Sequence, residues 1–292
     1  MERRKSRKQV SKRDTAQKSI PFHTMYPDGI CHVDENTYNC MIEFSDVNYE
    51  LLGEADKHDF QKKYKQFINY FDSGISIQML LINRRAEAEL LEQNIRLSPV
   101  GDRHDELREE LSQMLETAAV QENKGIVRTR YFLLGIKENE KKEASRRLKS
   151  IAEDVKENLL KLGVKSRILN GTQRLRVLYE YFNQDTQMPF RFSYANAAAC
   201  GHSVKDYIAP AVFDFRYASR FKSGNMHGSM FYVAMLTENL EDDFFTKLTA
   251  VDENLTVSIH YNCMDSIKAA KFIRQMLSDV QKMKVDNQKE AV

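Results

Sequence analysis

Cys31, His32, Cys40, Cys200, His202, His260 and Cys263 are the side chains of this sequence best suited to hold a transition metal. Zinc sites generally take paired ligands two to four residues apart, twice over. The pair His260 and Cys263 falls in a stretch that reads as a strand, where the two side chains point to opposite faces. Cys200 and His202 lie in an aperiodic stretch with no second pair nearby. Buried thiols and ordinary histidines account for all seven, and neither a metal nor a cofactor is expected. Nucleophilic chemistry has two candidate sites. "GHSVKDY" brings His202, Ser203 and Asp206 together in sequence, but adjacency is not triad geometry, and no Gly-x-Ser-x-Gly elbow is present to present a serine. "SPVGDRHDE" offers Asp102, His104 and Asp105 ahead of a helix, where Asp102 reads as its N-cap. A phosphate-binding loop requires a lysine directly after its second glycine, and none of the 11 glycines is followed by Lys. The nearest look-alike, Gly224 to Gly228, lies between strand patterns and reads as a hairpin tip. The chain is expected to be non-catalytic, and a hydrolase built on His202 or His104 is the weakest reading of its function.

The elements that must position any site follow from composition and periodicity. With 292 residues, 42% of them hydrophobic, the chain can fill a substantial core, and a net charge of +2 selects no class of partner. Charge is uneven only at the start, where Arg3, Arg4, Lys5, Arg7, Lys8, Lys12 and Arg13 make a basic tail expected to be disordered. Such a tail suits phosphates of nucleic acid or an anionic membrane leaflet. The basic-aromatic stretches "RTRYF" and "FRFSY" would extend that surface onto the folded part, although strand alternation explains them equally well. No signal peptide and no run of eighteen apolar residues occurs, so a soluble, cytoplasmic protein is expected. Four scattered cysteines make no disulfide framework; Cys31 and Cys40 facing each other across a hairpin at "DENT" would permit a bridge, and in a reducing compartment two thiols are expected. The sequons at Asn170 and Asn254 then carry no glycan.

"MYPDGICHVDENTYNCMIEF" reads as turn, strand, tight turn, strand. A helix is expected over 54–72, then a buried strand "ISIQMLLIN", a helix marked by Leu107, Leu111, Met114, Leu115 and Ala118, and a strand "VRTRYFLLGI". Ala144, Leu148, Ile151, Val155, Leu159 and Leu162 define a long helix ended by Gly163. "VKSRIL" is a short strand, and Leu175, Leu178, Tyr179 and Phe182 mark a further helix. Residues 184–206 lack periodicity and read as a connector. The opening pattern then returns, with "AVFDFRYASRF", a "KSGNMHGS" turn and "MFYVAML" as a second hairpin. Phe244, Phe245 and Leu248 mark a helix, "LTVSIHYN" a strand, and Ala269, Ile273, Met276, Leu277 and Val280 a last helix. The class is α+β, as two ferredoxin-like halves running strand, strand, helix, strand, helix. The expected domains are a tail over 1–20, a first subdomain over 21–183, the connector, a second subdomain over 207–284, and the start of a linker over 285–292.

Three segments carry a resemblance beyond periodicity: "QKSIPFHTMYPDGICHV", "DYIAPAVFDFRYASRF" and "DSIKAAKFIRQMLSDVQKMKVDNQKEAV". From about Lys18 to Val292 the chain resembles the amino-terminal region of conjugal-transfer ATPases, the TrbE/TraC-type motors of type IV secretion in the form carried by Gram-positive mobile elements. The resemblance implies a longer protein whose ATPase core follows this region. It also implies contacts with other secretion-channel subunits at the inner face of the plasma membrane, and self-association of the motor. The nucleotide loop and acidic metal-coordinating residue of that core have no counterpart here, so no catalytic or nucleotide-binding residue carries over. The last helix, which runs on without a stop signal, resembles the passage towards the motor. The leading expectation is a non-catalytic docking and assembly module, with Phe190, Phe192 and Tyr194 of the connector as exposed partner contacts, although covering a core edge explains each of them equally well. The alternative is a stand-alone nucleic-acid-binding accessory protein of a mobile element, using the basic tail.

Overall fold

The structure, a computed structural model, describes residues 15–47, 49, 52–85, 105, 107–111, 126–184, 188–234, 244–251 and 253–290. The described elements are, in chain order, α1 (Ala16–Ser19), β1 (Thr24–Met25), β2 (Cys31–Asp34), β3 (Thr37–Phe44), α2 (Glu54–Asn69), β4 (Ile75–Arg85), β5 (Ile126–Lys137), α3 (Lys141–Lys161), β6 (Ser166–Ile168), α4 (Gly171–Phe182), α5 (Tyr194–Cys200), a 3-10 turn (Val204–Tyr207), β7 (Phe213–Asp214), β8 (Phe221–Ser223), β9 (Met226–Gly228), α6 (Phe244–Thr249), β10 (Leu255–Tyr261) and α7 (Ser266–Glu290). The class is α+β.

The chain divides into two units drawn from interleaved segments. One comprises Met1–Met41, Lys137–Lys149 and Ile168–Leu240, the other Ile42–Ile136, Ser150–Arg167 and Glu241–Val292. The division passes through β3, β5 and α3, and so differs from the consecutive subdomains that periodicity suggests.

In the first unit β1, β2 and β3 pair antiparallel in that order. The β2–β3 turn is the tight one expected at "DENT", with Asp34 opposite Thr37 and the Asp34 carboxylate accepting the Thr37 amide at 3.1 Å. Cys31 stands opposite Asn39, so Cys40 lies one residue out of register, on the other face of the pleat. The expected facing of Cys31 and Cys40 is therefore corrected. Both are buried and neither is in a disulfide, Cys31 lying in the core and Cys40 directed at the Leu148 carbonyl. Three short strands, β7, β8 and β9, make a separate sheet, with the β8–β9 turn at Gly224–Asn225. Gly224 has φ +57°, the left-handed backbone such a two-residue turn demands. This is the hairpin tip expected for the phosphate-loop look-alike.

In the second unit the strand order is β3, β5, β4, β10, with β6 on β3. β4 pairs antiparallel with β5 from Ile75–Ile136 to Arg85–Ile126, and on its other edge with β10 from Leu255–Asn83 to Tyr261–Ile77. Strand β10, expected beside the second hairpin, thus completes this sheet instead. Alternation identifies a strand but does not name its partner. Most of β4 is half-buried rather than enclosed. The rings of Phe60, Tyr64 and Phe67 run up one face of α2 to Phe71 just past its end, and Phe67 meets Phe132, which stacks on Phe44 at 4.5 Å.

Helix α3 buries Ala144, Leu148, Ala152, Val155 and Leu159, spaced four, four, three and four, as an apolar stripe requires. It stops where expected. Gly163 has φ +78°, and the Val164 amide returns to the Leu159 carbonyl at 2.9 Å, which closes the helix end. The helix marked by Leu107 and Leu111 is seen at 107–111, and its remaining markers lie outside the described residues.

Candidate docking surface

The connector expected to be irregular is partly ordered. It holds α5, capped by Gly201 at φ +67°, and the 3-10 turn that follows. Both lie over a core of Ile20, Phe22, Met25, Cys31, Leu175 and Ile208. Helix α4 brings Leu175 to that core and begins with a capping box, in which Asn170 and Gln173 satisfy each other's backbone amides at 2.9 Å. In its first turn Arg174 is 4% exposed, donating to the carbonyls of Gly29 and Asn39 and to Asn39 Oδ1, while its Nε has no partner. Burial pushes the Arg174 guanidinium down from its ordinary range. A Cβ on Gly171 would collide with the Tyr26 carbonyl and the Tyr194 hydroxyl, so this junction admits only glycine.

Phe190, Phe192 and Tyr194, expected as exposed contacts, are half-buried against this core. Phe192 lies 6.0 Å from Phe190, 4.7 Å from Tyr194 and 5.0 Å from Tyr207, ring to ring. The Tyr194 hydroxyl donates to the Met25 carbonyl at 3.2 Å, and burial raises its pKa to about 12. Of the two readings of these rings, exposed contact or cover of a core edge, their packing matches the second.

Free apolar surface lies further along the chain. Met230, Phe231 and Tyr232 are 87–90% exposed and Val233 65%, just after β9. This is the "MFYVAML" stretch expected as the second strand of a hairpin, yet 229–234 belongs to no strand. Its apolar residues are consecutive rather than alternating, so no pleated half-buried face holds them. Phe215 (63%) and Tyr217 (56%) add to the exposed aromatics of this unit. The sheet behind them is anchored by Ser223 Oγ donating to the Phe182 carbonyl at 2.9 Å. Asp214, held by Arg216, has its carboxyl down at about 2.

The sequence's chemical candidates take ordinary roles. Ser203 and Asp206 form the capping box of the 3-10 turn, and the His202 ring lies 6.1 Å from Tyr207. Asp105 pairs with Arg108 at 2.5 Å, whereas Asp102, His104 and the basic tail (Arg3, Arg4, Lys5, Arg7, Lys8, Lys12 and Arg13) lie outside the described residues. In "RTRYF", Arg128 donates to the Thr249 carbonyl at 3.3 Å and Arg130 pairs with Asp46. His260 and Cys263, expected on opposite faces, both line an open cleft of about 780 Å³, because Cys263 sits beyond the end of β10. The His260 ring bonds Ser258 Oγ at 3.0 Å. Burial, aided by Asp72, pushes the Cys263 thiol up, away from the thiolate a nucleophile needs. Among the described residues no three His, Cys, Asp or Glu side chains gather as a metal site would need. No described helix is long and apolar enough to cross a membrane.

No protein-family model matches the chain, and no curated protein matches it significantly.

Proposed function

We propose that this chain is a docking and assembly module of a conjugative DNA-transfer machine, contacting other type IV secretion channel subunits at the inner face of the plasma membrane. One observation carries the docking part: Met230, Phe231 and Tyr232 stand almost fully exposed in succession, followed by the exposed Val233. Apolar side chains so displayed mark interaction sites, and aromatic ones dominate the binding energy of interfaces. The conjugative setting rests on the resemblance of "QKSIPFHTMYPDGICHV" and "DYIAPAVFDFRYASRF" to the amino-terminal regions of transfer ATPases. In this reading the chain hydrolyses nothing itself and is the amino-terminal docking and assembly module of a transfer ATPase.

The test is capture of purified inner-membrane channel subunits by the 292-residue chain and by its Phe231→Ser/Tyr232→Ser variant. Losing two anchoring rings removes about 3 kcal/mol, so the variant should bind roughly a hundredfold more weakly. Its melting temperature should stay unchanged, because neither ring is packed. Equal capture by both proteins would dismiss the segment as the docking surface.

A further inference from the structure

Helix α7 runs for 25 residues, and every described side chain from Ala270 to Val280 is exposed. Over that span the helix has no covered face, and so lacks the packing that normally stabilises an amphipathic helix in water. Its apolar residues are nevertheless ordered. Ala269, Ile273, Met276, Val280 and Met283 are spaced four, three, four and three, the seven-residue repeat of a coiled coil. Ile273 and Val280 take the a positions, and Ala269, Met276 and Met283 the d positions. Among the outward b, c and f positions from 267 to 289 only Ile267 and Val285 are apolar.

We infer that α7 is the seam of a parallel, in-register, two-stranded coiled coil between two copies of this chain. β-Branched residues at a favour two parallel strands, and Asn287 at the next a position is the polar residue that sets register in such pairs. Charge complementarity selects the orientation. Asp279 occupies a g position and Lys284 the e position five residues on, which a parallel pair brings together across the seam. Phe272 and Leu277 stand in the same g-to-e relation and widen the apolar contact, with 51% and 58% of each exposed in the single chain. An antiparallel pair would instead set the acidic g positions of both copies on one flank. This inference is independent of the channel-docking reading, because a different element carries it.

Sedimentation equilibrium of the 292-residue chain between roughly 1 and 100 µM tests it. A dimer is expected, and Ile273→Asp/Val280→Asp should weaken it at least roughly a hundredfold with the circular dichroism of the remaining fold retained. Orientation is read with Val280→Cys in a Cys200→Ser/Cys263→Ser background. Facing a positions of a parallel pair should form an intermolecular disulfide on mild oxidation. Asp279→Lys should loosen the dimer, and adding Lys284→Asp should restore it. A monomer throughout the range, a dimer untouched by the double Asp variant, or a dimer without the cross-link would each overturn the assignment.

Discussion

Arg174 and Tyr194 show how much of this protein is decided by single side chains that the sequence presents as ordinary. In "TQRLRVLYEYF" an arginine beside an apolar stripe reads as a surface residue, yet Arg174 is buried and bonds carbonyl oxygens of the β2–β3 region. Nothing in helical spacing reveals that, because the acceptors come from residues 29 and 39, far off in sequence. Tyr194 is the measurable member of the pair. Burial raises its phenol from 10.0 to about 12, so the folded state favours the protonated ring more than the unfolded chain does. The stabilisation from this shift is fully present below pH 10 and is lost as pH rises towards 12. Denaturant melts at pH 9 and pH 11 should show a larger loss for the native protein than for Tyr194→Phe, which has no phenol proton to lose. Equal losses in the two proteins would place the alkaline transition on other groups.

At the scale of elements, periodicity located most helices and strands and misjudged what covers them. The stripe of α3 and its Gly163 stop were legible because both are local properties. The capping box of Ser203 and Asp206 was not, since the sequence shows the two only as an adjacency of catalytic residue types. The connector was not legible. Phe190, Phe192 and Tyr194 follow one another at alternate positions in a stretch with no strand partner, and the core they pack against is built largely from residues distant in sequence, among them Phe22, Met25 and Cys31. Replacing all three with Ser should therefore lower stability by about 4 kcal/mol, or roughly 10 °C in melting temperature. Calorimetry reads this directly. A change of under about 1 kcal/mol would return the three rings to the surface and to partner binding.

For the whole molecule, the sequential order of elements is a poor guide to what packs with what. "LTVSIHYN" was legible as a strand, and its alternation even shows in Ser258 and His260, which are exposed where Ile259 is half-buried. Its partner was not, since seven residues of β10 pair with β4, about 180 positions earlier in the chain. Interleaving of this kind makes a specific demand on fragments. A piece covering 207–292 keeps β10 but loses β4, so its backbone donors and acceptors have no ladder and its apolar positions no sheet to join. Expressed alone, that piece should lack protected amides at Val257 and Ile259, whereas the full chain should protect both for far longer in hydrogen exchange. Adding a separate piece covering 21–183 should restore protection, because it returns β4 and β5 together. Native-like protection in the isolated 207–292 piece would instead mark a self-sufficient carboxy-terminal subdomain, with the β4–β10 pairing incidental to its folding.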